Sequence, residues 1–173
     1  PFAVTPRADD LIVGKWGARF MGRRLVCAIG RGGITLDKRE GDGATPAGIF
    51  RLVGGMARID RLTPPKTRIR LQASGPRDIW SDDPCDPEYN QLKHARSAPY
   101  SHEKMRRGDR LYDLVLFTDY NTVGAVPGAG GAIFVHLWRT PRQPTAGCVA
   151  FSCKDLSWII RSWRPWSRLI VQP

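Results

Sequence analysis

No stretch of this 173-residue chain approaches the roughly 18 consecutive apolar residues that a membrane-crossing helix requires. Histidine is scarce, with three copies, and the four cysteines include no Cys-x-x-Cys pair, which argues against a thioredoxin-like centre or a zinc ribbon. Acidic residues are in deficit: 16 Asp and Glu stand against 27 Lys and Arg, a net charge of +11. That imbalance suits polyanionic partners, whether nucleic acid, anionic lipid headgroups or an acidic cell-wall polymer. The basic residues are spread in pairs such as Arg23-Arg24 and Arg106-Arg107, and no aromatics are interleaved with them in a recognisable nucleic-acid motif, so no nucleic-acid partner is expected and a nucleic-acid-binding module stays a remote alternative. Internal repeats and linkers are also missing. The length suits a single domain spanning 1–173 that buries its own core without metal or disulfide staples. The opening residue is Pro1, so a processed precursor is expected and a missing leader says nothing against export.

What the chain does have is punctuation. Its 18 glycines and 14 prolines lie mostly between short runs rich in β-branched and aromatic residues: Leu11–Val13, Leu25–Ile29, Gly48–Val53, Ile69–Leu71, Leu111–Thr118, Ala132–Leu137 and Leu169–Val171. The pattern predicts a mainly β fold, a sandwich or small barrel, with one or two short helices. One helix is predicted over Lys154–Trp163, where Leu156, Ile159, Ile160 and Trp163 form a stripe, Ser152 caps, Asp155 takes the capping-box position and Pro165 stops the run. A second, over Ser101–Arg107, has a weaker pattern. The segment from Leu71 to Tyr100 reads as an extended loop or cap.

Chemistry concentrates in two places. Ile133-Phe134-Val135-His136-Leu137 closes an apolar strand on a histidine, and Thr145-Ala146-Gly147-Cys148 puts a cysteine after a small turn. A thiol attacks as its thiolate, and a nearby imidazole is a common way to form one. Gly147 frees the backbone to turn sharply, so that the sulfur and neighbouring N–H groups can face one carbonyl. A helix starting just beyond Cys148 would help hold the thiolate if its N-terminus pointed back. Cys27 reads as core, and a Cys148–Cys153 disulfide is at most an inactivated state. A zinc site built from His102, His136 and Cys148 is disfavoured by irregular ligand spacing, so neither metal nor cofactor is expected.

The His136…Thr145-Ala146-Gly147-Cys148 pair resembles the signature of the L,D-transpeptidase (YkuD) catalytic domain family. A second landmark, Gly43-Ala44-Thr45-Pro46-Ala47-Gly48-Ile49-Phe50, is similar to that family's Thr-Pro-x-Gly-x-Phe segment. The likeness runs from about Leu25 to Leu156 and is nearest to a compact proteobacterial branch. Ala150 stands where many members carry arginine, and the interval between His136 and Cys148 is short.

The resemblance implies a peptidoglycan L,D-transpeptidase, a cysteine acyltransferase. Cys148 would form a thioester with a donor stem peptide and pass it to the amine of a diaminopimelate residue. The product would be a third-to-third or an L-Ala-to-diaminopimelate crosslink. Catalysis would rest on Cys148, on His136 oriented by a backbone carbonyl near Leu137 or Trp138, and on N–H groups of Gly147 and Cys148 meeting the oxyanion. Arg139, with Arg142 nearby, would recognise a carboxylate, Arg139 filling the role left vacant at Ala150. Thr145, His102, Tyr112, Trp80, Asp82, Asp83 and Asn90 are further cleft candidates. Muropeptide stems are the expected partners, with carbapenem-type β-lactams as inhibitors, and the expected state is a periplasmic monomer. The rival within this chemistry is an L,D-carboxypeptidase or endopeptidase, in which water takes the same acyl group.

Overall fold

Runs this short cannot repay the cost of nucleating a helix, and their β-branched side chains suit a pleated surface, so they pair. The computed structural model describes residues 4–95 and 97–173. One five-stranded sheet is ordered β3 (Arg23–Leu25), β2 (Gly17–Phe20), β1 (Leu11–Gly14), β15 (Leu169–Val171) and β6 (Gly48–Phe50). Its parallel β1–β15 pair, Leu11 beside Leu169, joins the two ends of the chain. Buried Asp10 strengthens that join by accepting from the Arg168 guanidinium at 2.6 Å.

The other five-stranded sheet is ordered β14 (Val149–Phe151), β13 (Phe134–Leu137), β12 (Leu114–Thr118), β7 (Leu52–Ala57) and β8 (Leu71–Ala73). Every residue of β12 is buried, because this sheet is covered on both faces. Leu114 and Leu116 join one core with Val135, Leu137, Val149 and Phe151. The intervening Val115 and Phe117 join another with Phe134 and Cys148. Period-two alternation thus sorts each strand between two apolar layers.

The first layer is completed by the opposing sheet and by helix α1 (Cys153–Ser162), whose Leu156, Ile159 and Ile160 are buried. The second is closed by a small sheet ordered β10 (Leu92–His94), β9 (Asp78–Ser81) and β11 (His102–Lys104). A short parallel pair, β4 (Ile34–Thr35) with β5 (Thr45–Pro46), completes the strands. Among the described residues no helix is long and apolar enough to cross a membrane.

The mainly β expectation holds, with one helix. The second helix, over Ser101–Arg107, is replaced by β11, because that segment satisfies its backbone groups on β9, with Glu103 opposite Trp80. The Leu71–Tyr100 segment is likewise no plain loop, since it supplies β8, β9 and β10. Gly48–Val53 is two strands broken at Arg51, where the chain leaves one sheet for the other. Leu25–Ile29 stays in its sheet only at Leu25, after which Ala28 makes a lone bridge to Ala150.

Helix α1 begins as its sequence indicates: Ser152 Oγ accepts from the Asp155 N–H at 3.0 Å. Replacing Ser152 with Ala is expected to cost about 1 kcal/mol. Urea unfolding of the two chains measures this, and an unchanged midpoint would deny the cap its role.

Candidate active site

Strand β13 carries the candidate histidine one residue before its end, and β14 runs parallel beside it with His136 opposite Ala150. Two residues before Ala150 stands Cys148, so by the period of a strand it projects to the same face as His136 and Phe134. Both side chains line a cavity of about 500 Å³. The His136 Nδ1–H donates to the Leu137 carbonyl at 2.7 Å. A carbonyl can only accept, so the proton sits on Nδ1 and Nε2 is left as the basic nitrogen. The sequence expectation of a carbonyl just after the histidine is met.

The cysteine turn is built from both sequence landmarks. Gly147 has φ +145°, and a Cβ there would lie 3.0 Å from the Ala44 carbonyl oxygen, so the Gly43–Phe50 segment forms the floor beneath the turn. Thr145 Oγ1 donates to the Cys148 carbonyl at 2.6 Å and accepts the Gly147 N–H at 3.1 Å. Thr145 therefore locks the turn, although it also borders the cavity. That same bond occupies the Gly147 N–H, which is thereby removed from the expected oxyanion pair.

The thiol is buried rather than surface-facing, packed with Met56, Phe134 and Tyr112. Its Sγ–H donates to the Ala132 carbonyl at 3.2 Å, while Sγ accepts the Phe134 N–H at 3.3 Å. Burial pushes the Cys148 thiol up to about 12 and the His136 imidazole down to about 4. The resting pair is neutral thiol and neutral imidazole, not the poised thiolate that the sequence suggests. Nor is the helix N-terminus close: the three residues of β14 separate it from Cys148, on the order of 10 Å of extended chain. The same separation keeps Cys148 and Cys153 too far apart for a disulfide, and all four cysteines are free.

The model of the L,D-transpeptidase catalytic domain family (YkuD) matches residues 12–171, nearly the whole chain. The protein belongs to this family. Searches of curated proteins and of solved structures return no match.

In this L,D-transpeptidase domain the remaining candidates divide. Trp80 and Asn90 do not line the cavity. Both are buried, and the Trp80 indole N–H donates to Asn90 Oδ1 at 2.9 Å. The same oxygen accepts the Ala132 N–H at 2.8 Å, so Asn90 fixes the residue whose carbonyl holds the thiol. Their expected role in stacking on substrate gives way to support, because the small sheet closes over them. Arg142 lies outside the cavity and Asp83 is likewise absent from its wall, whereas Asp82 is part of it.

Tyr112, His102 and Arg139 do reach the cavity. The Tyr112 ring meets His136 edge-on at 5.4 Å between centroids, and its hydroxyl donates to Glu103 Oε1 at 2.8 Å. His102 Nδ1–H donates to the Tyr100 carbonyl at 2.9 Å. Arg139 is mostly exposed and contacts Asp109 at 3.3 Å. Asp109 is already gripped by Arg107, whose Nε and Nη2 donate at 2.9 and 2.8 Å and hold its carboxyl below the usual range. Ala150 is fully buried and exchanges two backbone bonds with Ala28, so an arginine side chain there would have to enter the packed interior.

Sequence reasoning missed Glu103, Arg107, Lys38 and Glu40 as cavity residues. Burial raises the Glu103 carboxyl above its ordinary value. The only signal for Glu103 was its place beside His102, and Lys38 and Glu40 carried none, since they arrive from a distant loop.

The neutral imidazole links stability to pH. With His136 held near 4 against 6.5 for a free imidazole, the unfolded chain takes the proton more readily. The stabilisation is complete above about pH 6.5 and is lost as pH falls through about 4, a span corresponding to about 3 kcal/mol. Urea unfolding at about pH 7 and about pH 4 is expected to show that much extra acid loss for the parent chain over His136→Gln. Equal losses would show that another group carries the effect.

Proposed function

We propose that the protein is a peptidoglycan L,D-transpeptidase acting as a cysteine acyltransferase, with Cys148 as nucleophile and His136 as general base. The carrying observation is that the Cys148 thiol and an imidazole fixed as its Nδ1–H tautomer border one cavity from the same face of one sheet.

In the resting site the thiol S–H donates to the Ala132 carbonyl. Catalysis begins when Sγ turns from that carbonyl and gives its proton to His136 Nε2 while attacking a peptide carbonyl of the donor stem. A neutral pair needs no standing thiolate, because proton transfer and attack proceed together. The tetrahedral oxyanion is met by the Cys148 N–H, since the Gly147 N–H is committed to Thr145. As the intermediate collapses, the C–N bond breaks, the leaving amine takes the proton from Nε2 and a thioester remains. The acceptor amine then loses a proton to Nε2 as it attacks the thioester, and the thiol leaves with that proton.

The cavity wall suits a substrate bearing both charges. Lys38, Arg107 and Arg139 offer cations to a diaminopimelate carboxylate, and Glu40, Asp82 and Glu103 offer anions to its ammonium. Arg139, exposed and joined to Asp109 by one longer contact, is free to exchange that partner for a substrate carboxylate. On this reading the enzyme works in the periplasm, where its cell-wall substrate lies. Carbapenems, as strained amides, are expected to acylate Cys148.

Cys148→Ser keeps a donor for the Ala132 carbonyl and is expected to fold yet to form no crosslinks. His136→Ala should slow turnover at least about a hundredfold. Mass spectrometry of muropeptides from cell walls treated with each protein provides the measurement. Crosslinking by Cys148→Ser at the parent rate would sink the mechanism, and hydrolysed stems without crosslinks would assign the acyl group to water. Intact-protein mass spectrometry after carbapenem treatment is expected to place the adduct on Cys148, and an adduct confined to Cys85 or Cys153 would count against the nucleophile.

A further inference from the structure

The ten residues Lys15–Arg24 carry four cations and no acid. They form most of a three-stranded meander at the edge of the first sheet, with β3 outermost. Arg19 on β2 sits directly opposite Arg24 on β3, and both are exposed. Like charges in that position repel, and a fold ordinarily avoids them or places a carboxylate alongside. Among the described residues none of Lys15, Arg19, Arg23 and Arg24 forms a salt bridge. Among the described residues no carboxylate relieves that repulsion.

An aromatic residue marks the same edge. The two-residue turn between β1 and β2 is Lys15-Trp16, and Trp16 is 80% exposed. The Lys15 ammonium lies 5.1 Å from its ring centre. Behind it, the Arg23 guanidinium sits 4.5 Å over Trp158 of α1, which holds that cation near the surface of the edge. Neither Trp16 nor any of the four cations borders the catalytic cavity.

From this we infer that the β1–β2–β3 meander docks on an anionic phospholipid surface, Arg19, Arg24 and Lys15 meeting lipid phosphates while the Trp16 indole enters the interfacial layer. The indole selects lipid over a nucleic-acid duplex. An apolar ring with a polar N–H suits the boundary between headgroup and acyl chain. A duplex would answer the cations, but its stacked bases present no open face to a ring on a hairpin tip. Lipid phosphates would also remove the Arg19–Arg24 repulsion that the free chain bears.

Flotation of the purified protein with vesicles tests this. One set is phosphatidylcholine alone, and the other is phosphatidylcholine with phosphatidylglycerol in a three-to-one mixture. The parent chain is expected to float with the anionic set only and to be released by added salt. At roughly fivefold per cation removed, the double variant Arg19→Gln/Arg24→Gln should lower partitioning at least about tenfold. Trp16→Ser should weaken it as well. The double variant should melt no lower than the parent, because it loses a repulsion. Equal binding to both vesicle sets, no binding to either, unchanged partitioning of the double variant, or tighter binding to duplex DNA than to anionic vesicles would each overturn the inference. A lower melting temperature for the double variant would do so as well, by making these arginines structural.

Discussion

Two parallel strands set the chemistry. Because β13 and β14 run side by side with His136 opposite Ala150, the residue two places earlier on β14 must share the histidine's face. A shift of one residue in that register would turn Cys148 into the opposite core and leave His136 without a thiol on its face. Parallel neighbours cannot be joined by a tight hairpin, so the chain makes a longer connection, and the Thr145–Gly147 turn at its end aims the cysteine. The bonds from Thr145 Oγ1 and the close approach of Ala44 to Gly147 hold that turn to one shape.

The protonation state of the site follows from burial of this sheet on both faces. The apolar layer made by Met56, Phe134 and Tyr112 around Cys148 disfavours any charge on sulfur or imidazole, and burial outweighs the opposing pull of Lys38 on the thiol and of Asp109 on the imidazole. Several charged side chains of the cavity already have partners: Glu103 holds Tyr112 and Arg107, while Arg107 and Arg139 both reach Asp109 beside it. On the proposed reading, such a site keeps the Cys148 thiol neutral and charges it only as bonds change, which suits a thiol that must ignore water until an acyl donor fills the cavity. The +11 charge of the chain is spread widely over its surface, and the cations of the β1–β2–β3 edge, proposed above as a docking face, are one part of it.

Local signals served well where one short segment specifies its own structure. The helix from Cys153 was legible because its stripe, its cap at Ser152 and its stop at Pro165 all lie within one stretch. Strands β1, β12, β13 and β15 were legible as apolar runs. The strands β9, β10 and β11 were not, because Asp78–Ser81, Leu92–His94 and His102–Lys104 are short and polar in part, and only pairing with one another keeps them extended. The same limit explains Trp80 and Asn90. An aromatic ring and an amide in a loop-like sequence look like ligand contacts until the small sheet buries them.

The sequence by itself determined the family, the mainly β class, the identity of the candidate nucleophile and base, and the carbonyl beside the histidine, because each depends on neighbours in the chain or on motifs a few residues long. Tertiary structure alone decided that the thiol and imidazole rest uncharged, that the Gly147 N–H is already spent on Thr145, and that Lys38, Glu40, Glu103 and Arg107 share the cavity wall. The reason is physical. Desolvation and hydrogen-bond competition depend on what packs around a group from every direction, and residues distant in sequence supply most of that packing.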